Sequence, residues 1–271
     1  MKNLDIKIAF FDIDGTLTNS NKDITENTLN TLKKAKEKGI KIVLCSGRSN
    51  SYITNLINTN YLDFIISSNG SRIYDVSNNK NIYTNYLNTK NLNNIWNYAL
   101  KNKIGCILAD DEYSYYNNYT DINSKNNKNV NFKIIKEPEY LNTNNLYQII
   151  LESTNIKNMS KLENYLTTFN ELKLINYTYD YKTKDYCFFD VVNNNVSKGN
   201  AIKFLLDYLN IDKKHSICFG DSVNDYDMFS SCGIKIAMGN AIDSIKEISD
   251  YITDTNDNDG ITNFFNQYIF K

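Results

Sequence analysis

Two carboxylates one residue apart, Asp12 and Asp14, follow directly on an apolar run at residues 6–11 in the stretch AFFDIDGTLT. Buried carboxylates are costly unless they are paired or bind a metal, so acids at the end of a hydrophobic strand point to a working site. Three further polar clusters follow, two of them also where an apolar strand stops. CSGR contributes Ser46, Gly47 and Arg48, SKG places Lys198 at the opening of a helical pattern, and GDSVND supplies Asp221, Asn224 and Asp225. Asp12, Asp221 and Asp225 concentrate negative charge, and hard oxygen ligands that meet a phosphate are the usual setting of Mg2+. The Ser46 hydroxyl, the Gly47 amide and the Lys198 ammonium can cradle a phosphoryl group. A carboxylate can attack phosphorus and form an aspartyl-phosphate. Asp14 can protonate the leaving oxygen and later deprotonate the attacking water. Catalysis of this kind rests on positioning and on neutralising the equatorial oxygens.

Something must hold these clusters together, and the chain shows what. Near the N-terminus IKIAFF, IKIVLCSG and DFIISSNG read as strands, separated by the helical patterns ITENTLNTLKKAKEKG and SNSYITNLINT. Near the C-terminus SKGNAIKFLLDYLN is helical, HSICFGD a strand, VNDYDMFSSCG a helix and IKIAMGN a strand. Alternation of this kind predicts a doubly wound parallel sheet wrapped by helices, an α/β core. In open parallel sheets the site forms outside the carboxyl ends of the strands, where most of these clusters begin. The middle loses the crossover rhythm. Strands outnumber helices there, and LKLINYTYDY with DYCFFDVV reads as a hairpin. The expected organisation is a discontinuous core, 1–83 and 190–271, around an inserted α+β domain at 84–189.

Composition narrows the function classes. The net charge of −1 provides no field to gather nucleic acid or an anionic membrane. Five scattered cysteines form no CxxC pair, so neither a zinc site nor a disulfide framework is indicated, and a reduced cytoplasmic protein is expected. The opening MKNLDIKIAFFD is too short and charged for a signal peptide, and no apolar run approaches the ~20 residues of a membrane span. The polar run at 123–132 reads as a loop.

In order, FFDIDGTLT, CSGR, SKG and GDSVND resemble the four motifs of the haloacid dehalogenase superfamily. SSNG, AMGNA and TNDNDGI are similar to its Cof-type hydrolases, which carry a C2-type cap domain where the α+β insert lies. The resemblance implies Asp12 as nucleophile and metal ligand. It implies Asp14 as general acid/base that also gives a backbone carbonyl to Mg2+. Ser46, Gly47 and Asn224 bind phosphate, Lys198 steadies nucleophile and phosphate, Asp221 ligates Mg2+, and Asp225 orients the metal shell. Ser46 stands where many members have threonine; the hydroxyl is kept. Arg48 matches the motif's arginine, as a phosphate contact or a surface ion pair.

Other residues have plainer readings. Asn69 and Gly70 read as a turn, with a substrate contact by Asn69 as the alternative. Asn240 and Asp257 either position the fourth motif or shape turns. His215, the only histidine, is expected to be exposed and outside the chemistry. Tyr113, Tyr115, Tyr116 and Tyr119 read as a β-face, with a ligand-stacking platform as the alternative. Cys45 and Cys218 read as packing residues. The expected function is a Mg2+-dependent phosphatase acting on a small phosphorylated metabolite, a sugar phosphate or phosphorylated cofactor, with the insert selecting the substrate. The alternatives are a phosphotransferase of the phosphomannomutase type and a non-catalytic binding protein on the same scaffold.

Overall fold

The computed structural model describes residues 4–110, 112–121, 132–135, 145–177 and 186–271. These form two compact units, one of Met1–Ser46, Ile57–Tyr83 and Ser197–Lys271, the other of Gly47–Leu56 and Thr84–Val196.

In chain order the first unit opens with β1 (Ile8–Phe11), α1 (Glu26–Glu37) and β2 (Lys41–Cys45). Helix α2 (Asn50–Leu56) belongs to the second unit, and β3 (Phe64–Ser67), β4 (Arg72–Asp75) and β5 (Lys80–Thr84) follow. The second unit continues with α3 (Leu92–Lys101), β6 (Gly105–Ala109), β7 (Ser114–Tyr116), β8 (Phe132–Ile134), β9 (Gln148–Ser153), α4 (Ile156–Leu166), β10 (Leu172–Asn176) and β11 (Cys187–Asn193). The chain then re-enters the first unit through α5 (Lys198–Tyr208), β12 (Ser216–Gly220), α6 (Tyr226–Ser231), β13 (Ile234–Ala237), α7 (Asp243–Glu247), β14 (Tyr251–Ile252) and α8 (Gly260–Tyr268).

Among the described residues the first unit holds an eight-stranded sheet in the order β14-β13-β12-β1-β2-β3-β4-β5. Its pairs from β14 to β3 are parallel, and β4 returns antiparallel to β3. Central parallel strands are covered on both faces and read as continuous apolar runs; all four residues of β1 are buried. Ile8 and Phe10 join Ile202, Leu205 and Phe229 in one core. Phe11 turns the other way and stacks on Phe219 at 5.1 Å and Phe265 at 6.1 Å. Helix α1 starts where Thr25 accepts from the Thr28 amide, and α5 where Ser197 accepts from the Asn200 amide. These caps satisfy amides that the helices leave unbonded.

The second unit holds a six-stranded sheet, β10-β11-β9-β6-β7-β8, antiparallel except for the β7–β8 pair. Cys106, Leu108, Ile149, Leu151, Phe189 and Val191 alternate along three strands and pack with Trp96 of α3 and Leu162 of α4.

Several expectations are revised. The insert read as 84–189 would cut β11, which pairs with β9 and β10 and runs on to Asn193; the compact unit ends at Val196 and also includes Gly47–Leu56. Strands β4 and β5 were not anticipated, since RIYD and KNIYT are short and mix charge with apolar residues. Strand β12 starts at Ser216, after a 3-10 turn over Lys213–His215. His215 is half-buried: its Nδ1 lies 2.9 Å from the Asp5 carbonyl and 3.1 Å from the Asp5 carboxylate. Most of the run at 123–132, and the connection between the hairpin strands β10 and β11 at 178–185, lie outside the described residues. No helix among the described residues is long and apolar enough to cross a membrane.

Candidate active site

Strands β1, β2 and β12 are neighbours and parallel, so their carboxyl ends lie side by side. Asp12 follows β1, Ser46 follows β2 and Asp221 follows β12. Residues as far as 205 positions apart thereby become spatial neighbours.

Lys198 is central to the cluster. It is 1% exposed, at the first position of α5, and its Nζ donates to Asp12 Oδ1 at 2.5 Å and Asp225 Oδ1 at 2.7 Å. The other oxygen of Asp225 accepts from the backbone amides of Asp221 at 2.9 Å and Ser222 at 3.1 Å. Asp225 is thus bonded through both oxygens, which suits a residue that orients its neighbours. Asp221 accepts at Oδ1 from the Thr16 hydroxyl at 2.8 Å. One carboxylate oxygen each of Asp12, Asp221 and Asp225 falls within 4.8 Å of the others.

Three carboxylates around one ammonium leave an excess of negative charge. Burial pushes Asp12 up to about 7; Lys198 opposes the rise and Asp225 adds to it. Burial also raises Asp221 well above the carboxylate range, with Asp12 and Asp225 contributing. For Lys198 burial works against the ammonium, but Asp12 and Asp225 outweigh it and hold the group charged. A divalent cation would relieve the same repulsion, so the donor set fits a hard metal ion. Cys45 and Cys218 are buried, and burial keeps their thiols protonated.

Asp14 points elsewhere. It is about a quarter exposed, and Lys22 Nζ stands 3.2 Å from its Oδ1. Gly15 makes this turn possible: its φ is +84°, and a Cβ there would lie 2.4 Å from Asp221 Oδ2. The turn thus packs directly against the acids. Beyond β3, Ser68 and Asn69 both take positive φ, and the Asn69 amide donates to the Ser46 carbonyl at 3.0 Å. Asn224 Nδ2 lies 3.4 Å from Asn69 Oδ1, so Asn69 joins the rim of the site as well as making a turn.

Gly47 and Arg48 fall in the second unit, where the Arg48 guanidinium lies over the Tyr52 ring at 4.8 Å. Two tyrosines of that unit contact groups of the same unit: Tyr115 on β7 donates to Asp110 at 2.9 Å, and Lys133 sits 3.3 Å above the Tyr113 ring. Sequence reasoning assigned no role to Thr16, whose partner lies 205 residues away. The available signal was a hydroxyl next to the glycine of the first motif.

The haloacid dehalogenase-like hydrolase family profile matches residues 9–265. A Buchnera aphidicola protein, named provisionally as a phosphatase, is 30% identical over 271 residues, covering 98% of this chain and 96% of its own. The Bacillus subtilis protein named 5-amino-6-(5-phospho-D-ribitylamino)uracil phosphatase YcsE is 27% identical over 269 residues, covering 99% and 98%. The crystal structure of a haloacid dehalogenase-like hydrolase from Bacteroides thetaiotaomicron matches with a TM-score of 0.85 at 26% identity, covering 97% of this chain and 99% of that one. A match that runs from the first strand into the last helix, with relatives aligned nearly end to end, makes this chain a member of the haloacid dehalogenase-like hydrolase family and an enzyme of its phosphatase and phosphotransferase kind.

Proposed function

We propose that the chain is a cytoplasmic, Mg2+-dependent phosphatase that hydrolyses a small phosphorylated metabolite through an aspartyl-phosphate on Asp12. The observation that carries this reading is the buried Lys198 ammonium bonded to both Asp12 and Asp225. That bond fixes the orientation of the Asp12 carboxylate and leaves its other oxygen for attack. Asp12, Asp221 and the Asp14 carbonyl would hold the metal, with Asp225 orienting that shell, and the metal when bound offsets charge on the phosphoryl oxygens.

The chain's own groups then divide the work. Ser46, Gly47, Asn224 and Lys198 hold the phosphoryl oxygens, and Arg48 is a further candidate. An Asp12 oxygen forms a bond to phosphorus as the ester oxygen leaves, and Asp14 gives that oxygen its proton. Water then attacks the same phosphorus, Asp14 recovers a proton from it, and the Asp12 carboxylate is released with inorganic phosphate.

The second unit is the element proposed to select the leaving group. The Bacillus subtilis relative, whose name specifies a phosphorylated ribitylamino-uracil, supports a phosphorylated cofactor precursor or sugar phosphate as substrate. The test is a screen of several dozen phosphorylated metabolites, ranked by kcat/KM, with Mg2+ and with EDTA. Phosphate release confined to the Mg2+ arm supports the reading, and full turnover in EDTA would sink the mechanism.

A further inference from the structure

Asp14 lies in a stretch with little regular structure of its own. Between β1 and α1 the described bonds include a bridge between Asp14 and Thr18 and a tight turn around Lys22, which takes a φ of 65°. Two backbone carbonyls of this stretch are held from the far end of the chain. Asn240 Nδ2 donates to the Gly15 carbonyl at 2.7 Å, and Asn256 Nδ2 donates to the Thr18 carbonyl at 2.8 Å. The two asparagines are joined, since the Asn256 backbone amide donates to Asn240 Oδ1 at 3.0 Å. That link settles which way the Asn240 amide faces: its oxygen must meet the Asn256 N–H, so its NH2 must face Gly15. Further out, Asp257 accepts from the Ser20 amide at 2.7 Å and the Ser20 hydroxyl at 2.6 Å. Asp259 accepts from Thr25 at 2.5 Å and Asn27 at 2.7 Å.

These bonds bracket Asp14. Asn240 holds the residue after it, and Asn256 holds the residue that bridges to it. Lys198 fixes Asp12 from within the core, but no strand continues to Asp14. We infer that Asn240 and Asn256 form a latch that positions the Asp14 carboxyl, so that they are positioning residues for proton transfer to the leaving oxygen. The inference rests on the acid–base reading of Asp14. Asn240 and Asp257, which the sequence leaves between positioning the fourth motif and shaping turns, both reach the loop of the first motif. Asn240 is exposed, and its loss costs the core no packing.

A positioning role predicts a loss that depends on the leaving group. The value of kcat/KM on p-nitrophenyl phosphate and on glycerol 2-phosphate isolates formation of the phosphoenzyme, with circular dichroism melts as the check on folding. Activated esters need little protonation, so Asn240→Ala and Asn256→Ala should stay within about threefold of wild type on p-nitrophenyl phosphate. On glycerol 2-phosphate each should lose roughly 10–100-fold, the scale of a small misplacement of a catalytic group. Asn240→Asp keeps the acceptor for the Asn256 amide but loses the donor to Gly15, and should behave like Asn240→Ala. Should Asn240→Ala melt below the assay temperature, Asn256→Asp carries the test, since it removes only the donor to Thr18. Equal losses on both esters, or no loss in a folded variant, would overturn the latch. Asp14→Asn is measured alongside. If it shows the leaving-group dependence and the asparagine variants do not, the latch alone fails; if it lacks it, the acid–base reading fails and the latch with it.

Discussion

The two sheets bury acids in different ways. In the eight-stranded sheet, Asp12, Asp221 and Asp225 gather beyond the ends of β1 and β12 around one ammonium. In the six-stranded sheet the buried acids sit along the strands themselves. Glu152 on β9 accepts from the Asp121 amide at 2.6 Å and from the Tyr186 hydroxyl, and Asp190 on β11 accepts from the Tyr177 hydroxyl at 3.3 Å. Parallel strands bring loops of distant sequence to one edge, so charges can be stacked where a cation can answer them. A mainly antiparallel sheet spaces its side chains along a face, where buried acids meet neutral donors one or two at a time. One arrangement concentrates reactivity. The other offers a surface that can vary without disturbing it. Chemistry in the first unit and selection in the second is the division we propose, and it can be broken experimentally.

The largest effect belongs to the proposed nucleophile. Asp12→Asn keeps size but removes the attacking oxyanion, so kcat should fall by at least about three orders of magnitude while the far-ultraviolet circular dichroism is unchanged. Retention of more than a few per cent of wild-type kcat would move the chemistry away from β1.

Lys198→Ala comes next. It removes the cation from between two buried carboxylates, and breaking a buried pair costs about 3–5 kcal/mol. A lower midpoint in urea should therefore accompany a fall in kcat of roughly 100-fold. Added Mg2+ should recover more of the stability than of the activity, because it relieves the repulsion without holding Asp12 in line.

A milder change replaces residues 84–196 by a short Gly/Ser linker. If selection resides in the second unit, slow hydrolysis of p-nitrophenyl phosphate should persist. The kcat/KM values for different metabolites should draw together. A folded core that ranks metabolites as the whole protein does would break the division.

The smallest effect is on stability against pH without metal. The folded pKa of Asp12, about 7, lies above its ordinary value of 3.8, so the folded state holds a proton that the unfolded chain has released. Its stabilising contribution is complete below pH 4 and is lost as pH rises through 7. In EDTA the melting temperature should therefore drop across this window, and Asp12→Asn should flatten the drop by on the order of 5 °C. An identical slope in the two proteins would show that Asp12 is ionised throughout.

How much of this was legible follows from the range of each interaction. The runs IAFF and SICFG announce buried parallel strands because both faces of a central strand are apolar, and this depends on residue type alone. The four polar clusters are visible because each breaks an apolar or periodic pattern, and their order along the chain carries the family. Strand β4 and the edge strand β5 were hidden, since both are short and mix charge with apolar residues, a pattern that reads equally well as loop. What only the tertiary structure decided is pairing. That Asn240 holds Gly15, that Thr16 meets Asp221 and that Asp225 is saturated by Lys198 and two amides are contacts spanning up to 225 residues, apart from the local amides. Residue types state which groups can donate and accept. A hydrogen bond forms only within about 3 Å, and which groups come that close is decided by the strand order, which no local pattern encodes.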